Sequence, residues 1–149
     1  MPVPKDGDPL DLVFARMAGV SMSALRSSTV QPGDTVLVIG MGLVGNFAAQ
    51  IFQLSGANVM VADISDLRLE KARECGISNT LNNHKHDLEE AVMDWTDGQG
   101  ARIVVEAIGI SELIAQAASI TSKHGELILL GTPRAHAVFV LQQCFWTYI

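Results

Sequence analysis

The stretch VLVIGMGLVG, residues 36–45, sets Gly40, Gly42 and Gly45 at G-x-G-x-x-G spacing directly behind an apolar run. That spacing can bring bare backbone to an anion. Gly40 can adopt the unusual backbone angles of a sharp turn at little steric cost. Gly42 has no side chain to hold a phosphate away from the backbone. Gly45 lets a helix that starts near Leu43 and Val44 pack closely on the preceding strand. Such a helix start offers unpaired N–H groups and a partial positive charge, which suit a pyrophosphate. Asp63 closes the next β-rich run, NVMVADIS, roughly twenty residues on, where a carboxylate can accept hydrogen bonds from both ribose hydroxyls of an adenosine and repel a 2′-phosphate. The glycine pattern alone is a weak signal, and Asp63 alone would read as a turn residue. A β-branched strand before the glycines, an amphipathic helix after them and an acid at that distance together read as a dinucleotide site.

These residues need a scaffold, and the rest of the chain reads as one. Short β-rich runs, TVLVI, NVMVA, TLN, RIVVE and ELILL, alternate with helical patterns over residues 43–55, 66–75, 86–96 and 111–122. Strands of that length separated by helices of about ten residues are the mark of βαβ units. The strands are apolar at consecutive positions, as expected when helices cover both faces of a parallel sheet. The helix after the glycines should face inward at Val44, Phe47, Ala48, Ile51 and Phe52. An earlier helical pattern covers residues 10–28, after a proline-rich lead-in over residues 1–9 that reads as unstructured. Open α/β sheets bind ligands beyond the carboxyl ends of their strands. Two further turns belong there: Ala107, Ile108 and Gly109 after RIVVE, and Leu130, Gly131 and Thr132 after ELILL.

Composition excludes several classes of function. The 149 residues are 48% hydrophobic and 17% charged, with a net charge of −6, which disfavours nucleic acid and anionic membrane surfaces as partners. No uninterrupted apolar stretch is long enough for a membrane span, and with no secretory leader pattern the expected location is cytoplasmic. Two cysteines, Cys75 and Cys144, make no disulfide framework and no C-x-x-C. Cys75 falls on the inward side of its helix pattern and reads as a packing thiol. His84 and His86 flank Lys85 without a third metal ligand at a suitable spacing, so they read as a solvated loop. Ser21, Ser23, Ser27 and Ser28 lack a G-x-S-x-G elbow. The stripe Leu88, Ala91, Val92 and Trp95 reads as core, and Glu106 as a structural hydrogen-bonding group near the crevice.

The run VQPGDTVLVIGMGLVGNFAAQIFQLSGANVMVADISDLRLEKARECG resembles the coenzyme domain of the zinc-type, medium-chain alcohol dehydrogenases, especially their polyol and threonine dehydrogenase members. TDGQGARIVVEAIG is similar to that family's motif at strand four, with Arg102 where an aspartate is usual, and HGELILLGTP is similar to its fifth strand. The resemblance implies a doubly wound, three-layer α/β/α Rossmann fold, NAD as coenzyme and hydride transfer to or from an alcohol carbon. It puts Gly40, Gly42 and Gly45 at the pyrophosphate, with Asp63 at the adenosine ribose and Arg68 reaching the same ribose. On residue type alone Arg68 reads as a solvated helix charge. The turns at 107–109 and 130–132 would face the nicotinamide.

The family's catalytic zinc ligands precede its coenzyme domain, and no such segment appears here. The expectation is therefore a fragment that is inactive by itself, with zinc and an alcohol or polyol substrate belonging to the full-length protein. AHAVFVLQQCFWTYI reads as a connection after strand five, which would leave the sixth strand missing, strand five open at its edge and the chain prone to homo-oligomerise through that edge or tail. Two rival readings stay open. One is a non-catalytic dinucleotide sensor; the other is a zinc-free quinone or enoyl reductase, whose expected NADPH use Asp63 argues against.

Overall fold

The computed structural model describes residues 6–132 and 145–147. The alternation seen in sequence becomes the elements α1 (Pro9–Leu12), α2 (Ala15–Ser27), β1 (Thr35–Ile39), α3 (Leu43–Leu54), β2 (Asn58–Asp63), α4 (Asp66–Glu74), β3 (Asn79–Asn82), α5 (Leu88–Trp95), β4 (Ala101–Glu106), α6 (Ser111–Ser119), β5 (Thr121–Leu129) and β6 (Phe145–Thr147). All strand pairs are parallel, in the order β3-β2-β1-β4-β5-β6.

Alternate residues of one strand enter opposite layers, which is why consecutive positions must be apolar. Val36 and Val38 of β1 join Phe52, Val61, Leu69 and Ile103 in one core cluster. Leu37 and Ile39 join Leu88, Val92, Val104 and Ile114 in the other. These four residues of β1 have no solvent exposure, and truncating Leu37 or Ile39 to Ala should cost roughly 2–5 kcal/mol. The Leu88 and Val92 pair is core, as its spacing implied, with Trp95 packed against the cluster.

Four expectations need correction. A sixth strand is present: Phe145–Thr147 pairs with Glu126, Leu127 and Ile128, so the edge of β5 is not left open there. Short runs of aromatic and β-branched residues favour such pairing. The helix expected over residues 10–28 is two helices, because residues 13 and 14 form a turn between Leu12 and Ala15. Pro9 starts the first of them, inside the stretch read as lead-in; residues 1–5 lie outside the described part, as does most of AHAVFVLQQCFWTYI. Cys75 is exposed, because α4 stops at Glu74 and Cys75 is its C-cap, where the helical face no longer governs direction.

Strand β5 is longer than ELILL and begins within the span read as helix. Its register against β4 shifts between Ala101 and Ile103, with His124 at φ 62° in the irregular part. Arg102, the departure noted in sequence, lies at the amino end of β4, far from the glycine turn along the strand. Its guanidinium donates to the Thr29 hydroxyl (3.1 Å) and stands 3.5 Å from the Glu126 carboxylate. It belongs to a local ion pair, not to the crevice.

Candidate functional site

The carboxyl ends of β1, β2, β4 and β5 converge, and all the site residues singled out in sequence lie there. Gly40 leaves β1 at φ 97°, and a Cβ built on it would approach Ile108 Cγ1 to 2.5 Å. A Cβ on Gly45 would fall on the Gly40 carbonyl oxygen, so the first turn of α3 rests directly on the end of the strand. Gly42 differs from both. Its φ is −67°, which any residue can adopt, and a Cβ there would meet nothing within 4 Å. The space above Gly42 is open, as an approaching phosphate requires. No side chain caps α3 and no acid lies in its first turn, so Leu43, Val44 and Gly45 form a helix start suited to an anion.

The inner face of α3 is Gly45, Ala48, Ala49 and Phe52, with Val44, Phe47 and Ile51 only half buried. Small residues let the helix sit low on the sheet. Helix α2 holds α3 from the other side: the buried Ser21 hydroxyl donates to the carbonyls of Val44 (2.7 Å) and Met17 (3.0 Å).

Asp63, 3% exposed, does more than end β2. Its Oδ2 accepts the N–H of Met41 at 2.7 Å and its Oδ1 accepts the N–H of Ser65 at 2.8 Å. The Arg68 guanidinium, largely exposed, stands 3.5 Å from Oδ2. One carboxylate thus fixes the glycine turn, the start of α4 and the nearest cation. A cleft of about 470 Å³ between α3 and α4 is lined by Met41, Gly42, Leu43, Arg68 and, further out, Asn46 and Lys71. Sequence reasoning did not find Met41 as the partner of Asp63. It contributes a backbone N–H, which any residue type could supply, so residue type carries no signal for it.

The turns at 107–109 and 130–132 interlock. Gly109 (φ 82°) and Gly131 lie so close that a Cβ on Gly109 would strike Thr132, and one on Gly131 would strike Gly109. The Glu106 carboxylate, fully buried, accepts N–H groups from Ile108 and Gly109, in line with the structural role read in sequence. Burial pushes its carboxyl pKa up, against the two N–H bonds that lower it. At the outer edge, Asn82 donates to the Ile64 carbonyl (3.2 Å) and to Asp66 (2.7 Å), bracing the turn after Asp63. The Lys85 ammonium bonded to Asp66, with Asn82 beside it, holds that carboxyl below its ordinary value.

Among the described residues, no group of three or more His, Cys, Asp or Glu is gathered so as to hold a metal ion. His84 and His86 are exposed. No described helix is long and apolar enough to cross a membrane.

Sheet order, glycine turn and closely seated helix define a doubly wound α/β fold of the Rossmann type, with its crevice where a nucleotide coenzyme binds. The family model described as zinc-binding dehydrogenase matches residues 44–149, and the chain belongs to that family, whose matched part is the coenzyme-binding one. It is 33% identical over 110 residues to a sorbitol dehydrogenase of Halalkalibacterium halodurans, covering 72% of this chain and 32% of the relative. An alcohol dehydrogenase of Geobacillus stearothermophilus is 32% identical over 134 residues, 89% of this chain and 39% of its own. An oxidoreductase/dehydrogenase of unknown specificity from Escherichia coli superposes with TM-score 0.87 at 26% identity, over 93% of this chain and 40% of that one. The chain thus spans about a third of the length of the curated relatives it matches. At the level of the family, the coenzyme is of the nicotinamide dinucleotide class.

Proposed function

We propose that this chain binds NAD(H) as the coenzyme-holding part of a zinc-type alcohol or polyol dehydrogenase. The observation that carries the reading is the buried Asp63 carboxylate, tied through Met41 to the glycine turn and aligned with the open start of α3. Its unused lone pairs suit the two ribose hydroxyls. The start of α3 receives the pyrophosphate over Gly42, and the interlocked turns at 107–109 and 130–132 line the nicotinamide half. The bound coenzyme supplies a hydride acceptor or donor; the chain's own residues bind, orient and shield it. The described residues do not fit a zinc ion, so substrate polarisation falls to the remainder of a longer protein, and the substrate is an alcohol or polyol by likeness to relatives named for sorbitol and alcohol oxidation. An exposed free thiol at Cys75 suits a reducing, cytoplasmic setting. Assembly with further copies belongs to the same proposal, supported by the exposed Leu10, Val13 and Phe14 near α1.

The test is coenzyme choice. A 2′-phosphate beside Asp63 would set like charges together in a partly dry crevice, costing on the order of a hundredfold in affinity. Calorimetric titration of the wild type should show NAD binding far more tightly than NADP. Asp63→Ser removes both the ribose acceptor and the support of Met41, so NAD should weaken while the NAD-to-NADP ratio narrows, with Arg68 free to meet the phosphate. Equal affinities in the wild type, or a ratio untouched by the substitution, would reduce Asp63 to a turn residue.

A further inference from the structure

We propose that Glu106 is a positioning residue for the nicotinamide half of the coenzyme, holding with its buried carboxylate one of the two turns that line it and with its backbone carbonyl the other. The inference deepens the coenzyme reading and rests on it.

Glu106 ends β4 with no solvent exposure, and no cationic side chain pairs with it among the described residues. A charged group buried in this way needs hydrogen bonds in place of water. It takes them from the crevice turn: Oε1 accepts the N–H groups of Ile108 (2.7 Å) and Gly109 (2.9 Å), and Oε2 accepts Gly109 again at 3.0 Å. The same residue's carbonyl oxygen accepts the N–H groups of Leu130 and Gly131, each at 2.8 Å. One residue therefore grips the turn after β4 with its side chain and the turn after β5 with its backbone.

The grip spreads by contact. Gly109, fixed by the carboxylate, leaves no room for a Cβ against Thr132, and Gly131 leaves none against Gly109. Ile108, fixed by the same carboxylate, lies against Gly40, where a Cβ would come within 2.5 Å of its Cγ1. Loosening the carboxylate would free the 107–109 turn first and the 130–132 turn through it. The adenosine side does not depend on Glu106: it is held by Asp63, Met41 and Ser65.

This separation gives a test that general destabilisation would not imitate. NADH and ADP are titrated calorimetrically against the whole chain as wild type, Glu106→Ala and Glu106→Gln, with folding checked by circular dichroism. ADP spans only the adenosine and the phosphates, so it reads the half of the site that no hydrogen bond of Glu106 reaches and that the Ile108 contact with Gly40 alone joins to it. Glu106→Ala should weaken NADH by about tenfold or more and leave ADP within about twofold. Glu106→Gln keeps an acceptor at Oε1 but turns an amide N–H toward Gly109, so its NADH loss should be smaller, about threefold, again with ADP unchanged. Equal losses for both ligands, or an unchanged NADH-to-ADP ratio in a folded variant, would overturn the proposal. If the Ala variant does not fold, the same ratio in the Gln variant decides. If the wild type binds neither ligand, the coenzyme reading falls and this proposal falls with it.

Discussion

Gly42 and Gly45 are three residues apart and serve opposite needs. Gly45 is required by the fold: its missing Cβ is where the Gly40 carbonyl sits. Gly45→Ala should therefore destabilise the chain by roughly 1–3 kcal/mol, read from denaturant unfolding. Gly42→Ala meets open space at a permissive φ of −67°, so its unfolding midpoint should stay close to wild type. Its coenzyme affinity should fall by about tenfold or more, because the new methyl stands where the phosphate approaches. A Gly42→Ala protein that binds NAD normally would remove the phosphate from that place. Glu106 gives a prediction in pH. Its carboxyl is raised above the ordinary 4.5 in the folded chain, burial outweighing the N–H bonds. The folded state then holds the proton more tightly than the unfolded one, so this contribution to stability is full below about pH 4.5 and is lost as pH rises through the raised value. Glu106→Gln carries no such titration. Unfolding curves from acid to neutral pH should show the wild type losing stability relative to the Gln variant as pH rises; a constant difference would mean that the carboxyl titrates normally.

The elements were legible where burial is two-sided and less so where chain ends or single backbone groups decide. Strands β1, β2 and β4 announce themselves by consecutive apolar residues, since each face meets a different core cluster. Helix α5 begins at Leu88, not near His86, because the Asp87 carboxylate accepts the Glu90 N–H at 2.9 Å and fixes the start. Asp87→Ala should cost about 1 kcal/mol in thermal or denaturant unfolding, and no loss would mean that the first turn is held by packing alone. Cys75 was misread because a periodic pattern carries no mark of where the helix stops. At the site, residue types that act through their side chains or through lacking one (Asp63, Gly40, Gly45) could be read in sequence. The backbone N–H groups of Met41, Ile108 and Gly109 could not, because every non-proline residue carries one.

Across the whole molecule, the least legible feature was β6, three residues long and beyond a stretch without clear periodicity. Its pairing with Glu126, Leu127 and Ile128 predicts that a chain ended after Thr132 would bare that edge. Such a chain should associate more strongly than the full one in sedimentation at rising concentration, because an unpaired strand is a template for another. Equal profiles would show that β6 does not protect the edge. The strand order has a consequence in time as well. Val36 pairs with Val59 on one side and Ile103 on the other. Emerging from a ribosome at roughly 5–20 residues per second, the chain delivers β2 seconds before β4. During that interval β1 has one neighbour, and Leu37 and Ile39 lack α6 throughout and α5 until residues 88–95 have emerged. The pace of translation through residues 64–100 thus sets how long a strand destined for complete burial waits half covered.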